Sequence, residues 1–198
     1  QRSLVFDNHY TREPFRRDVP RRFTEGKAGE VLKALARGQE WLAKKRQLWG
    51  DGYYLYGIER CGVASGEKIL GGADWFARGA QTILRAQRPD GSIPIGAHGG
   101  GLVNTAFCTL FLLNGGAPLA FYKLDHREGH DDDLNPRDLA NLTRNLWVAY
   151  ERPVNWQKVS LKASLGDLLE APVVFLSGTR AVWIRKEGVE KLRDYVLS

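Results

Sequence analysis

The feature that most limits the folds open to this chain is an alternation of amphipathic and apolar helical segments. Apolar residues at three- and four-residue steps across residues 28–42 predict an amphipathic helix that ends near Gln47. After a glycine-rich break, residues 53–63 carry few charges and predict a helix that is buried on most sides. One partner helix cannot cover such a helix, so the pattern favours stacked helical hairpins.

The same alternation follows a second time. Asp74 is a suitable N-cap for another amphipathic helix over residues 75–87. A long glycine-rich loop comes next, and residues 103–113 are uncharged and predict a second helix with no solvent-facing side. The two amphipathic helices end 40 residues apart, at Gln47 and Gln87, which lies within the range of helical repeats. We therefore expect the two apolar helices to pack together in an inner layer, with the amphipathic helices outside.

Beyond residue 134 the chain alternates between strand and helix patterns. The predicted elements are a helix opened by Asn135 and Pro136, a strand over residues 156–161, a short helix opened by a capping box at Ser164 and Asp167, a strand over residues 173–176, and a helix from Val189 to the end. Four consecutive apolar residues in the second strand indicate burial on both faces. This order is typical of the first part of an α/β domain with a parallel sheet.

The sequence thus predicts a mainly α fold of helical-hairpin repeats, followed by a partial α/β domain. The expected divisions are a basic irregular lead-in at residues 1–26, helical repeats at 27–125, an acidic linker at 126–134 and the first part of the α/β domain at 135–198. The chain contains no methionine and starts with Gln1, so we expect a piece of a longer protein. No segment has the roughly 20 consecutive apolar residues that a membrane span needs.

The net charge of +6 is concentrated at the beginning of the chain. Residues 1–49 hold twelve basic and six acidic side chains, whereas residues 50–198 are neutral overall. Four arginines between residues 16 and 22 raise the alternative of a nucleic-acid surface. No nucleic-acid motif follows them, so a solvated lead-in is the preferred interpretation.

Two groups of side chains suggest chemistry at first sight. His130 and the acids at residues 131–133 have the oxygen ligands of a divalent ion site. We prefer a solvated linker, because negative charge is stabilised just before a helix N-terminus. Ser177 follows a predicted strand, but no histidine comes after His130 to activate it, so Ser177 is expected to shape the strand end.

The cysteines do not form a recognisable metal or redox pair. Cys61 and Cys108 lie 47 positions apart within apolar stretches, and we expect both thiols to be buried. His98 would complete only part of a zinc ligand set. The sequence therefore predicts no metal site and no cofactor, and it leaves the cellular compartment open.

The sequence QRPDGSI, which begins at Gln87, resembles the QW-type motif of the terpenoid cyclase and protein prenyltransferase superfamily. In that motif Gln87, Asp90 and Gly91 would tie a helix end to the next loop, with Ile93 in place of the family's tryptophan. The helix pairs around it resemble the α/α toroid of prenyltransferase and squalene oxidase-like repeats, over roughly residues 27–124. The resemblance implies a structural role for the motif and an inner layer that surrounds an apolar cavity.

Longer stretches resemble a bacterial family of planctomycete-type genomes, in which a toroid-like repeat domain precedes a domain of unknown function. They are YYLYGIER from Tyr53, GGADW from Gly71, DGS from Asp90, NTAF from Asn104 and PRDLANLT from Pro136. The sequence APVVFLSG from Ala171 resembles the opening strand of the second domain, which is thought to have a flavodoxin-like, glutamine amidotransferase-like fold. The resemblance identifies relatives and implies no particular reaction.

The resemblance favours a non-catalytic binding or scaffold module, since the sequence carries neither the Asp-x-Asp-Asp acid motif of cyclases nor the zinc set of prenyltransferases. Its ligand would be a lipid, an isoprenoid or a peptide, and its other partners the remaining domains of the parent protein. The candidate apolar pocket is lined by Tyr53, Tyr54, Tyr56, Trp75, Phe107 and Phe111. Two alternatives stay open: these rings fill the core, or the chain belongs to an isoprenoid- or lipid-processing enzyme whose catalytic residues lie elsewhere.

Overall fold

The computed structural model describes residues 25–45, 49–70, 72–98, 100–125, 137–177 and 184–198. Its elements are α1 (Glu25–Lys44), α2 (Gly52–Ser65), β1 (Ile69–Leu70), β2 (Ala73–Asp74), α3 (Trp75–Ala86), α4 (Gly100–Gly115), β3 (Leu119–Asp125), α5 (Asp138–Tyr150), β4 (Asn155–Ser160), α6 (Leu165–Leu168), β5 (Val173–Phe175) and α7 (Lys186–Leu197). The fold is mixed α/β and mainly helical, as predicted. The four arginines of the lead-in, the acidic linker and the cap at Asn135 and Pro136 lie outside the described residues.

The chain divides into two compact units, residues 1–41 and 42–198. Most of α1 belongs to the first unit, and it ends at Lys44, slightly before the predicted end at Gln47. The side chains of Val31, Leu35 and Trp41 on this helix are exposed. All the other helices and strands belong to the second unit, which also holds the candidate site.

The two apolar helices, α2 and α4, pack side by side as the sequence predicts. Near their N-termini, Gly52 lies so close to Asn104 that a β-carbon on the glycine would come within 3.0 Å of the Asn104 carbonyl oxygen. Near their C-termini, the indole of Trp75 lies against both Gly62 and Gly115. The N-terminal part of α2 therefore lies beside that of α4, and their C-terminal parts also lie together. The two helices consequently run in the same direction.

The prediction that these two helices have no solvent-facing side is wrong. On α2, Tyr53 and Arg60 are exposed, and on α4, Leu102, Leu110 and Leu113 are exposed. Within the described residues the pair is covered mainly by α3, which leaves the opposite faces open.

No helix in the described parts of the chain is both long enough and apolar enough to span a membrane.

The helix α3 closes the first hydrophobic core from outside. Asp74 is its N-cap, as predicted, and accepts a hydrogen bond from the backbone amide of Ala77 at 2.9 Å. Gly79 allows the ring of Phe111 on α4 to approach the backbone of α3 closely. The buried residues of this core are Trp49, Leu55, Ile58, Leu70, Trp75, Ile83, Ile93, Cys108 and Phe111.

The loop after α3, which contains Gln87, Asp90 and Gly91, is held by several hydrogen bonds. The side-chain amide of Gln87 donates to the carbonyl of Gly91 at 3.4 Å, and Asp90 accepts from the backbone amide of Ser92 at 3.0 Å. Ile93 is buried, and its backbone amide donates to the hydroxyl of Thr105 on α4 at 2.9 Å. The loop is therefore anchored to both helices that it connects.

The C-terminal half contains a parallel three-stranded sheet in the order β4-β3-β5, with β3 in the centre. The parallel sheet and strands β4 and β5 are predicted by the sequence, but β3 is not. The segment of β3 falls inside residues 27–125, for which the sequence predicts helical repeats. In the register of the sheet, Tyr122 of β3 pairs with Gln157 of β4 and with Val174 of β5.

A second core lies on one side of this sheet. Its buried residues are Tyr122, Leu124, Val159, Leu168 and Ala171, with Leu192 and Tyr195 of α7 packed against them. The capping box of α6 at Ser164 and Asp167 and the final helix are present as predicted. The prediction that β5 is buried on both faces is wrong, because β5 lies at an edge of the sheet and Val173 is exposed.

The helices and the sheet of the second unit are joined directly. The backbone amide of Lys158 in β4 donates to the carbonyl of Gly66 at 2.8 Å, just after α2. The side-chain amide of Asn155 donates to the carbonyls of Asn114 and Gly115 at 2.8 and 3.2 Å. The two bonds from Asn155 satisfy carbonyls that the end of α4 leaves without helical partners.

Candidate functional site

Four of the six predicted pocket residues form one cluster of aromatic rings on α2 and α4. The ring of Tyr53 lies 5.3 Å from that of Phe107 and 5.9 Å from that of Tyr54, both edge to face. The ring of Tyr56 lies 5.4 Å from that of Phe107. His98, from the loop before α4, adds a fifth ring 5.6 Å from Tyr53. We call these five residues the aromatic cluster.

The aromatic cluster reaches the solvent. Tyr53 is 50% exposed and Tyr54 is 37% exposed, while Tyr56 and Phe107 are half-buried. Exposed aromatic groups of this kind on a protein surface are a common mark of a binding site.

The other two predicted pocket residues, Trp75 and Phe111, lie in the first hydrophobic core. Phe111 is fully buried and Trp75 is 4% exposed, and their rings meet edge to face at 5.8 Å. Phe76 stacks on Phe111 at 5.7 Å. Trp75 and Phe111 therefore fill the core, whereas Tyr53 and Tyr54 of the aromatic cluster reach the solvent.

Asp51 is the residue that organises the polar end of the aromatic cluster. One carboxylate oxygen caps α2 by accepting from the backbone amides of Tyr53 and Tyr54 at 3.0 and 3.3 Å. The other oxygen accepts from the backbone amide of Ala97 at 3.1 Å. In the sequence pattern, residues 50–52 form the glycine-rich break between two predicted helices. An aspartate directly before a helical pattern is an N-cap signal that could have identified Asp51.

The imidazole of His98 completes the contacts of Asp51, with Nδ1 2.8 Å from the second carboxylate oxygen. Burial raises the pKa of Asp51, but the hydrogen bonds with His98 and with the backbone outweigh burial and lower this pKa below its usual value. Asp51 therefore remains ionised and holds the imidazole in place. The sequence alone suggests for His98 only a place in an incomplete zinc ligand set, and not this contact.

The loop that carries His98 is held closely on Asp51. Gly96 has a positive φ of 86°, and a β-carbon there would overlap the Asp51 side chain. Only glycine combines this backbone conformation with such a close approach. The loop backbone and the carboxylate of Asp51 therefore fix the position of the imidazole. His98 does not rotate freely as an ordinary surface side chain would.

The helix α2 also carries a buried acid, Glu59. Glu59 is fully buried, and neither of its carboxyl oxygens accepts a hydrogen bond of good geometry. Burial raises the pKa of Glu59 to about 7, and the charge of Arg60 and the amide of Asn114 offset this rise only in part. Glu59 is thus a buried acid that changes its charge near neutral pH.

A second polar cluster lies at the carboxyl side of the sheet. The ammonium of Lys123 in β3 donates to one oxygen of Asp138 at 2.8 Å, and the hydroxyl of Ser177 donates to the other at 2.9 Å. Burial raises the pKa of Asp138, but the hydrogen bonds from Lys123 and Ser177 lower it overall. Ser177 therefore ties the end of β5 to α5, which agrees with a structural role for this serine.

A cavity of about 350 Å³ lies beside β3 and β4. Its polar lining includes Lys68, Lys158 and Gln157. The ammonium groups of both lysines are already paired, Lys68 with Glu170 at 2.9 Å and Lys158 with Glu67 at 3.1 Å. This cavity is consequently a weaker candidate for a ligand than the aromatic cluster.

The described residues contain no group of three or more metal-ligating side chains. Cys61 is exposed, contrary to the expectation that both thiols are buried, because it lies on the open side of α2. Cys108 is buried between α2 and α4, and burial raises the pKa of its thiol to about 11. His130 and the acids at residues 131–133 lie outside the described residues.

The aromatic cluster with its Asp51–His98 pair is thus the best-defined candidate site. Comparisons of the chain with protein-family models, with curated proteins and with solved structures found no match.

Proposed function

We propose that this chain is a binding module for an apolar ligand with an acyl or isoprenoid chain, and that the aromatic cluster is its binding site. The single observation that carries the proposal is the exposure of mutually contacting rings on two parallel helices, with Tyr53 half exposed. Such rings offer a large apolar contact area, and the tyrosine hydroxyls can remain hydrated.

The apolar surface continues along α4 beyond the aromatic cluster. Val103 and Leu110 are four positions before and three positions after Phe107, so they lie on the same side of the helix. Their side chains are 39% and 41% exposed. A chain-like ligand that contacts Phe107 would therefore find further apolar contacts in both directions along α4.

The binding role is proposed as non-catalytic. Among the described residues, the carboxylate of Asp51 beside the aromatic cluster is held in contacts that shape the backbone, since it accepts from three backbone amides. An enzyme of the cyclase or prenyltransferase type would need an acid motif or a zinc set in addition, and neither was found in the sequence.

The proposal is tested by titrating the purified chain with a fluorescent polyene alcohol. We expect saturable binding to the wild type and an affinity about tenfold lower for Phe107→Ala, because truncation removes apolar contact area. Trp147 is a matched control, since it is an exposed aromatic residue on α5, outside the aromatic cluster. Trp147→Ala should bind like the wild type.

Two outcomes would contradict the proposal. Binding that fails to saturate, or that falls equally in Phe107→Ala and Trp147→Ala, would show that the aromatic cluster is not a specific site. Turnover of a polyprenyl or squalene-like substrate by the purified chain would contradict the non-catalytic role.

A further inference from the structure

Within the aromatic cluster, the imidazole of His98 lies beside Tyr53 and Tyr54, with one nitrogen bound and the other available. Its ring lies 5.6 Å from the ring of Tyr53 and 5.4 Å from that of Tyr54, and the side chain is 52% exposed. Nδ1 is bound to Asp51 at 2.8 Å. Among the residues that the structure describes, none forms a hydrogen bond with Nε2.

The contacts of Asp51 determine which imidazole nitrogen carries the proton. The carboxylate accepts from the backbone amides of Tyr53 and Ala97, and its pKa is lowered, so it is an ionised group that can only accept. Nδ1 of His98 must therefore be the donor. In a neutral imidazole the other nitrogen then carries a lone pair and no hydrogen.

A fixed acceptor beside exposed aromatic rings defines a class of ligand. We propose that Nε2 of His98 accepts a hydrogen bond from a hydroxyl group of the ligand, so that the site selects apolar alcohols over apolar molecules without a donor. This inference rests on the proposed function, because the aromatic cluster holds the apolar part of the same ligand. The preference requires no movement of His98, since Asp51 and the loop backbone already hold it.

The test compares two isomers that differ only in the hydrogen-bond donor. Octanol carries a hydroxyl, whereas methyl heptyl ether has the same atoms and no donor. Binding of each is followed at pH 8 by chemical-shift changes in the spectra of the protein. We expect octanol to bind about fivefold more tightly, which is the effect of one net hydrogen bond.

His98→Phe is the informative variant, because it keeps an aromatic ring and removes the acceptor. In this variant the two isomers should bind with equal affinity. If His98→Phe does not fold, the comparison of the two isomers on the wild type still decides the question. Equal binding of both to the wild type would overturn the inference and leave the proposed function standing. If neither isomer binds saturably, the proposed function fails as well.

The proton position is measured independently of any ligand. Long-range correlation of ring hydrogens with imidazole nitrogens separates a protonated nitrogen from a bare one. We expect the spectrum of His98 at pH 8 to show a protonated Nδ1 and a bare Nε2. A protonated Nε2 would overturn the inference, because that nitrogen could not then accept from a hydroxyl.

Discussion

The indole of Trp75 lies directly on the backbone of Gly62, at a point where a β-carbon would overlap the ring. The indole Nε1 also donates to the carbonyl of Glu67 at 2.8 Å, beyond the end of α2. One side chain at the start of α3 thus fixes both the distance between α3 and α2 and the path of the chain that leaves α2.

We expect Gly62→Ala to destabilise the protein by about 1–3 kcal/mol, because a methyl group forces the indole away. Gly57 is a matched control on the same helix, since a β-carbon there meets no atom within 4 Å. Gly57→Ala should be neutral or stabilise by up to about 1 kcal/mol through helix propensity. Urea denaturation of both variants measures the difference, and equal effects would show that the close contact at Gly62 is unimportant.

The buried acid Glu59 makes stability depend on pH. Its pKa is raised to about 7 in the folded state, so the unfolded chain releases this proton at lower pH than the folded chain does. Below about pH 4.5, protonated Glu59 makes its full contribution to the free energy of unfolding. As the pH rises to about 7, this contribution is lost, and the free energy of unfolding falls by roughly 3 kcal/mol.

Glu59→Gln should remove this loss, because the amide is neutral at every pH. We expect the variant to be more stable than the wild type at pH 8 and to match it near pH 4, as measured by denaturant unfolding across this range. Glu40 is exposed on α1, and Glu40→Gln should show no such dependence. A constant difference between Glu59→Gln and the wild type at all pH values would contradict the assigned role of burial.

The two aspartate caps differ in the number of bonds that they accept. Asp74 caps α3 through one backbone amide, whereas Asp51 accepts from three backbone amides and from His98. Replacing a single cap by alanine costs about 1 kcal/mol. We expect Asp74→Ala to lose about that amount and Asp51→Ala to lose roughly 2–4 kcal/mol in thermal or urea unfolding. Similar losses would indicate that the loop contacts of Asp51 add little.

The ion pair of Lys123 and Asp138 should be sensitive to acid. The pKa of Asp138 is lowered in the folded state, so its contribution to stability is present above the usual aspartate value of about 3.8. It is lost as the pH falls through the lowered pKa. Asp138→Asn should be less stable than the wild type at pH 7, since Lys123 keeps a nearly buried charge. Unfolding measured between pH 2 and pH 7 should show the difference shrinking at the acidic end.

The two thiols should react at very different rates. Cys61 is exposed on α2, whereas Cys108 is buried and the pKa of its thiol is raised to about 11, so little thiolate is present at pH 8. A disulfide reagent should modify one thiol rapidly in the folded protein and the second only after denaturation. Cys61→Ser should eliminate the rapid phase, and a rapid phase that persists in this variant would place Cys108 at the surface.

The parts of the fold that the sequence predicts are those with strong local signals. Asp74 precedes a periodic apolar run, and Ser164 has the capping-box spacing with Asp167; both accept from the backbone amides that caps normally bind. The pairing of α2 with α4 was also predictable, since each helix carries too much apolar surface to remain alone. The exposed fraction of that surface was not predictable, because it depends on which other elements pack against the two helices.

The missed features depend on contacts between distant residues. β3 has no clear strand pattern of its own, because it contains Lys123 at a nearly buried position. This lysine can be buried because Asp138, fifteen positions later, neutralises its charge. Within the candidate site, the sequence drew attention to Tyr53 and Phe107 through their aromatic character. It gave no sign that the carboxylate of Asp51 would meet His98, 47 positions away, because a glycine-rich loop of this length has many paths.

The central place of β3 in the sheet limits how this chain can be dissected. A truncation after residue 125 would keep α2, α3 and α4 together with an unpaired β3. A fragment that starts at residue 135 would hold β4 and β5 without the central strand that joins them. The same cut would remove Asn155 from the carbonyls at the end of α4. Recombinant fragments of the second unit should therefore span residues 42–198, with the helices and the sheet expressed as one piece.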